Sequence, residues 1–197
     1  MSKFELLDEL VEAGNGYLCT AQVLKSGVSK PTLAEYVQKR NLQRVSQGVY
    51  LSENAWPDNL YLLCLSNGRI IFSHETALFL HGLMERESKS INVTVKAGYN
   101  ATHLRKKGVR VFQVKPDTAE LGVIEIETSF GNAVRAYDME RTICDIIRYK
   151  DSIDVQVFHY AMKEFMSSNL KNLNHLMDYA RRFQIESAVR TYMEVML

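Results

Sequence analysis

The sequence predicts an α+β fold, in which an N-terminal winged helix-turn-helix precedes a mixed domain with a small β-sheet and several helices. Two observations support this. The first 52 residues contain three helical patterns and then two strand patterns, and later segments alternate with period two before helical spacing returns. Between the two parts, the stretch ENAWPDN at 53–59 is rich in turn-forming residues. We therefore expect a DNA-binding domain at 1–54 and a second domain at 60–197.

The N-terminal part begins with three helical segments. Ser2 can cap the first, and Thr20 can cap a short second helix that Gly27 stops. Ser29 can cap a third helix, with Pro31 in its first turn, where a missing N–H costs nothing. This order predicts a helix followed by a helix-turn-helix.

Strand patterns occur in both parts. LQRV and VYLS flank the turn SQG and predict a β-hairpin, which completes the order of elements of a winged helix-turn-helix. In the second part, INVTVKA, VRVFQV and VIEIETS predict strands by their β-branched content and alternation. From Asp138 onward, four segments have helical patterns.

The basic residues suggest what the N-terminal part binds. The net charge is only +1, so any polyanionic partner must bind a local patch. Residues 25–44 contain five basic residues and one acidic residue, Glu35. In a helix-turn-helix the second helix enters the major groove of DNA with its early residues at base edges. The predicted DNA-binding residues are Lys25, Ser29, Lys30, Thr32, Tyr36, Lys39, Arg40, Gln43, Arg44 and Gln47.

Two alternatives stay open for these positions. The lysines could simply solvate a surface helix, and Tyr36 could pack in the core instead of binding a phosphate. A second basic segment, HLRKKGVR at 103–110, is either a further polyanion contact or an ordinary solvated turn between strands.

Histidines and paired carboxylates do not predict a metal site. His74 and His81 are seven residues apart, without the helical i,i+4 pair or nearby cysteines of a zinc site, so we expect packed histidines. Glu125 and Glu127 share one face of a strand but lack the lysine that a nuclease of that type needs. We predict no metal and no cofactor.

No catalytic residues are predicted either. Asp138 is placed to cap a helix, and Glu140 favours the positive end of the same helix. Glycine-rich phosphate loops and G-x-S-x-G motifs are absent from the sequence. We therefore expect a protein that is not an enzyme, although a nuclease is kept as a weak alternative.

Cysteine usage and hydropathy predict a cytoplasmic protein. The three cysteines are odd in number and widely spread, which argues against a disulfide framework. The longest apolar run, LYLLCL, is far shorter than a membrane span, and the N-terminus lacks the pattern of a signal peptide.

Three motifs resemble one family. QGVYLSENAWPD, FSHETALFLHGL and AYDMERTICDIIR, in this order, are similar to the AbiEi abortive-infection antitoxins of bacterial type IV toxin–antitoxin systems. The resemblance implies an N-terminal domain that binds promoter DNA and represses its own operon. It also implies a C-terminal domain that counteracts a nucleotidyltransferase-like toxin, with direct contact left open.

The expected DNA partner is a double-stranded promoter with inverted repeats, bound by paired protomers that are monomers or weak dimers in solution. The alternative is a winged-helix protein-interaction module without DNA binding.

Overall fold

The computed structural model describes residues 2–196 and has the predicted mixed α+β composition, with eleven α-helices and two small sheets in that range. The chain forms two compact units. Unit 1 comprises Met1–Gly68 and Glu127–Ala133, and unit 2 comprises Arg69–Ile126 and Val134–Leu197. Across residues 2–196, no helix combines the length and apolar character that crossing a membrane requires.

Unit 1 contains four helices and a three-stranded sheet. In chain order its elements are α1 (Lys3–Ala13), β1 (Tyr17–Cys19), α2 (Thr20–Lys25), α3 (Lys30–Lys39), β2 (Gln43–Ser46), β3 (Val49–Leu51) and α4 (Asn59–Ser66). The strand order is β1-β3-β2, and both pairings are antiparallel. Strand β1 was not predicted, because three residues are too few to display an alternation.

In unit 1, helix capping follows the sequence at two of the three predicted positions. Ser2 forms a capping box with Glu5, and the Ser29 hydroxyl accepts a hydrogen bond from the Thr32 N–H. The prediction for Thr20 is wrong, because Thr20 is the first residue of α2 and Cys19 occupies the cap position without a side-chain bond.

The segment predicted as a linker is fixed within unit 1. Asp58 is 2% exposed, and its carboxylate accepts hydrogen bonds from Tyr61 N (3.0 Å), Thr128 Oγ1 (2.6 Å) and Asn132 Nδ2 (2.9 Å). Its own N–H donates to the Tyr17 hydroxyl at 2.7 Å. These bonds place α4 and the loop at 127–133 in unit 1. The compact units therefore differ from the predicted ranges 1–54 and 60–197.

Unit 2 is built on a mixed five-stranded sheet whose order is β6-β5-β4-β8-β7. Its strands are β4 (Ile71–Phe72), β5 (Asn92–Lys96), β6 (Arg110–Val114), β7 (Val123–Glu127) and β8 (Ala133–Tyr137). β4 runs antiparallel to β5 and parallel to β8, and β5 runs parallel to β6. β8 was not predicted, because its sequence, AVRAY, contains two alanines, which are depleted in strands.

The helices of unit 2 are α5 (His74–Leu80), α6 (Thr102–Lys106), α7 (Pro116–Ala119), α8 (Met139–Arg148), α9 (Val155–Ser167), α10 (Leu173–Arg182) and α11 (Glu186–Met196). A short 3-10 helix, Lys150–Ser152, follows α8. The apolar core of this unit is formed mainly by side chains of α5, α8, α9 and α10.

A buried ion pair lies inside the motif AYDMERTICDIIR. The fully buried Arg141 donates from Nε to Asp145 Oδ2 at 3.0 Å, and Asp145 also accepts from Arg148 at 3.0 Å. The Arg141 guanidinium also donates to the backbone carbonyls of Thr118 and Leu121. It lies over the rings of Tyr137 and Phe183. This part of the motif is therefore core structure.

His74 and His81 are packed or hydrogen-bonded, as predicted. The ring of His74 stacks on Phe112 with centroids 3.5 Å apart, and its Nδ1 bonds the Ser73 hydroxyl. Burial, assisted by nearby arginines, lowers the pKa of His74 to about 3, so the ring is neutral at pH 7. His81 Nε2 lies 2.8 Å from the carbonyl oxygen of Tyr137.

Candidate nucleic-acid interface

Helices α2 and α3 of unit 1 are joined by four residues, Ser26–Ser29. Gly27 adopts φ +81°, a conformation that disfavours any residue with a Cβ. Val28 is buried and anchors the turn to the core around Leu7 and Leu33. Two helices joined by a three- or four-residue turn that contains glycine are typical of a helix-turn-helix.

The first turn of α3 presents polar groups. The Ser29 hydroxyl lies 2.9 Å from Thr32 Oγ1 and 3.4 Å from the Thr32 N–H. Lys30 is exposed and Thr32 is partly exposed. Because the first N–H groups of a helix carry partial positive charge, this end of α3 can accept a phosphate or another anionic group.

Nine of the ten predicted DNA-binding residues have solvent-accessible side chains. They lie on α2, on α3 and its two cap positions, and on the hairpin of unit 1: Lys25, Ser29, Lys30, Thr32, Lys39, Arg40, Gln43, Arg44 and Gln47. The structure thus leaves these nine available to a ligand.

Tyr36 is the exception, and its placement corrects the prediction. The side chain is 1% exposed, and its hydroxyl donates to Asp8 Oδ1 at 2.7 Å. Its ring meets Phe4 edge-on at 5.3 Å. Burial, together with the hydrogen bond to Asp8, raises the pKa of Tyr36 well above its usual value of 10. Tyr36 is a core residue that joins α3 to α1 and cannot contact DNA.

Two of the five basic residues already have partners. Lys39 pairs with Glu35 at 2.9 Å, and Arg40 pairs with Asp8 at 2.6 Å. Within residues 2–196, no carboxylate forms an ion pair with the other three, Lys25, Lys30 and Arg44. Fewer positive charges are therefore available to a ligand than the five basic residues in the sequence suggested.

The hairpin carries the third of these cations. In the β2–β3 pairing Gln43 lies opposite Leu51 and Arg44 opposite Tyr50, and the register shifts between Arg44 and Ser46. The Arg44 Nε donates to the Ser46 carbonyl at 3.4 Å. Such irregularities twist a hairpin and change the direction of its side chains.

The positive charge of unit 1 is localised. The unit contains six basic and eight acidic residues, so its net charge is negative. Four acids lie on α1: Glu5, Asp8, Glu9 and Glu12. The basic residues of the unit are thus concentrated in the chain from α2 to β2, and within that stretch Arg40 is paired with Asp8 of α1.

The second basic segment differs from its prediction. Residues 102–106 form helix α6, so HLRKKGVR is a helix followed by a glycine turn and not a plain turn between strands. Arg105, Lys106 and Lys107 are exposed. Arg110 instead directs both terminal nitrogens to the carbonyl oxygen of Ser152, at 3.4 and 3.3 Å.

One cluster in unit 2 was not predicted. Asp138, Glu140 and His175 each have an atom that is suited to metal coordination, and these atoms lie within 4.8 Å of one another. Asp138 caps α8, as expected, by accepting a hydrogen bond from the Arg141 N–H at 2.7 Å. Nothing in the sequence connects His175, on α10, to the start of α8, because only tertiary packing of the two helices brings it there.

Comparison with known proteins adds a likeness of fold. No family model matches the chain, and no curated protein matches it. Among solved structures, the chain is similar to the crystal structure of the RV2827C protein from Mycobacterium tuberculosis, with a TM-score of 0.57 and 11% sequence identity. The match covers 92% of this chain and 72% of that chain. At this identity the similarity concerns the fold alone.

Proposed function

We propose that unit 1 is a winged helix-turn-helix that binds double-stranded promoter DNA, and that the chain is an AbiEi-type antitoxin that represses its own operon. The order α1-β1-α2-α3-β2-β3 supports the first part, as does the four-residue turn between α2 and α3. The hairpin β2–β3 then serves as the wing.

The observation that carries the DNA proposal is a group of three basic residues, Lys25, Lys30 and Arg44, for which the described part of the chain provides no carboxylate partner. They lie on α2, on the first turn of α3 and on the wing strand, the three elements that approach DNA in this class of motif. Neutralising phosphates releases counterions, which supplies most of the affinity for DNA of any sequence.

Sequence readout is assigned to the start of α3. Lys30 and Thr32 occupy the first turn, where a recognition helix meets base edges in the major groove. Gln43, Arg44 and Gln47 on the wing contact the backbone or the minor groove, and they fix the position of the protein without specifying sequence.

The antitoxin part of the proposal is supported by the three AbiEi-like motifs, which occur in order along the chain. The partner in this account is a nucleotidyltransferase-like toxin encoded nearby, and the protein opposes it without catalysing a reaction itself. Unit 2 carries this activity, and unit 1 carries repression.

Variants of the full chain test both assignments in cells. Lys25→Ala, Lys30→Ala and Arg44→Ala combined should abolish repression of a promoter reporter and still neutralise the co-expressed toxin. The matched control replaces Lys163, Arg182 and Lys115 of unit 2 by alanine and should retain repression. Repression that survives in the first triple variant, at equal protein level, contradicts the assignment to unit 1.

A protein-docking role of unit 1 is the second candidate, and one observation favours it. Trp56 is 77% exposed, and large exposed aromatic residues are frequent anchors of protein interfaces. The two candidates differ in their response to salt. DNA binding weakens steeply as salt rises, whereas an interface centred on an exposed indole does not.

A further inference from the structure

We propose that Asp138, Glu140 and His175 form a binding site for a divalent transition metal ion, with Zn²⁺ as the ion that best matches the ligands. The site is independent of the proposed DNA and toxin functions. Its three residues come from two helices, since Asp138 and Glu140 lie at the start of α8 and His175 lies in the first turn of α10.

The ligand atoms have the right chemistry. Two carboxylates and one imidazole bind Zn²⁺ or Co²⁺, while the imidazole makes the set unsuitable for Mg²⁺ or Ca²⁺. The atoms lie within 4.8 Å of one another, and ligands of one tetrahedral zinc ion are about 3.4 Å apart. Coordination therefore requires these side chains to move closer together, and the exposure of His175 leaves room for this movement.

Glu140 provides a separate reason to expect a cation. Its side chain is 6% exposed, and within residues 2–196 it forms no ion pair. It accepts a hydrogen bond from the Asn172 N–H at 2.7 Å through Oε1. The nearby cation Arg141 is already engaged by Asp145. Buried carboxylates are normally paired with a cation or coordinated to a metal. In residues 2–196 the Glu140 carboxylate has the Asn172 N–H and the positive end of α8 beside it, but no ion-paired side chain.

The surrounding groups orient the ligands. The Tyr179 hydroxyl donates to Asp138 Oδ2 at 2.7 Å, and the His175 ring stacks on the ring of Tyr179 with centroids 4.8 Å apart. Hydrogen bonds of this kind fix ligating carboxylates in metal sites. Each carboxylate oxygen has more than one lone pair, so capping α8 does not exclude metal coordination by Asp138.

The test is calorimetric titration of the full chain with ZnCl₂, using protein without a polyhistidine tag that has been treated with chelator and dialysed. We expect one ion per chain and a loss of affinity of at least about tenfold in His175→Ala. His159→Ala removes an exposed histidine of α9 and should bind as the wild type does.

Glu140→Gln provides a second variant, because its amide oxygen can still accept the Asn172 N–H while the charge is lost. It should also lose affinity at least about tenfold, with an unchanged circular dichroism spectrum. Co²⁺ should give visible absorption bands with the wild type and not with His175→Ala. The absence of saturable zinc binding by the wild type, or equal affinity in His175→Ala, overturns the proposal.

Discussion

Arg40, at the C-terminal end of α3, forms an ion pair of 2.6 Å with Asp8 of α1. The same carboxylate accepts the Tyr36 hydroxyl at 2.7 Å. Tyr36 of α3 and Arg40, which caps the C-terminal end of that helix, are thus held by a single acidic residue, which fixes α3 against α1. Arg40 therefore positions α3 and offers less charge to DNA than its exposure alone suggests.

The first prediction separates Arg40 from Arg44 by salt dependence. Arg44→Ala should reduce the slope of log K against log salt by about 0.9, as expected for the loss of one phosphate contact. Arg40→Ala should change the slope much less, because Asp8 already compensates its charge. Fluorescence anisotropy with a labelled promoter duplex at several salt concentrations measures both. An equal loss of about 0.9 in both variants would place Arg40 in the DNA contact, and an unchanged slope in both would remove Arg44 from it.

The second prediction concerns Asp8 and acid stability. Burial alone would raise the pKa of Asp8, but hydrogen bonds from Tyr36 and Arg40 outweigh it and hold the pKa below the usual 3.8. A lowered folded-state pKa contributes stability that is present above pH 3.8 and is lost as the pH falls through the folded value. Since the ion pair is largely exposed, the contribution is at most about 1 kcal/mol.

Urea unfolding of the wild type and of Asp8→Asn, followed from neutral pH to pH 3, tests this. The free energy of unfolding should fall more steeply in the wild type below about pH 4, because only the wild type takes up a proton at position 8 when it unfolds. Parallel pH profiles would show that the ion pair contributes nothing to stability.

The third prediction concerns Thr32. Thr32→Ala should lower the preference for promoter over random DNA by about 1 kcal/mol, the low end of what a base contact contributes. Affinity for random DNA should change little, because no charge is removed. Thr102→Ala, which removes an exposed threonine of α6, is the control. An equal loss on both kinds of DNA would assign Thr32 to the backbone and not to sequence readout.

The fourth prediction concerns the core of unit 2. Arg141→Ala leaves Asp145 buried with only the partly exposed Arg148 as partner, and should cost about 3–5 kcal/mol of stability. Arg181→Ala breaks an exposed pair with Asp178 and should cost less than about 1 kcal/mol. Thermal and urea unfolding measure the difference. Similar losses in the two variants would mean that the buried pair adds no stability beyond that of a surface pair.

Local signals predicted much of the fold. Ser2 and Ser29 cap helices as expected, and the alternating segments INVTVKA, VRVFQV and VIEIETS contain strands β5, β6 and β7. Strands β1 and β8 were missed because one is too short and the other too rich in alanine for a pattern. The role of Asp58 was missed for a different reason, since its partners Thr128 and Asn132 are some 70 residues away in the chain.

The candidate site was predicted in outline and corrected in detail. The sequence left open whether Tyr36 packs in the core or binds a phosphate, because it could not show that a carboxylate of α1 lies within reach of the Tyr36 hydroxyl. Counting charges likewise assigned Arg40 to the basic stretch, because Asp8 is distant in sequence. Ion pairs between helices depend on which helices pack together. Hydrophobic periodicity predicts which face of a helix is buried, but it does not predict what that face contacts.

The most direct test of the account is a footprint of the full chain on the DNA upstream of its own gene. One copy of α3 covers only a few base pairs, too few to specify a single site, so we predict two protected half-sites related as an inverted repeat. The combined Lys25→Ala, Lys30→Ala and Arg44→Ala variant should leave both unprotected at the same protein concentration. No protection by the wild type, or unchanged protection by this variant, would contradict the claim that unit 1 binds promoter DNA through α2, α3 and the wing.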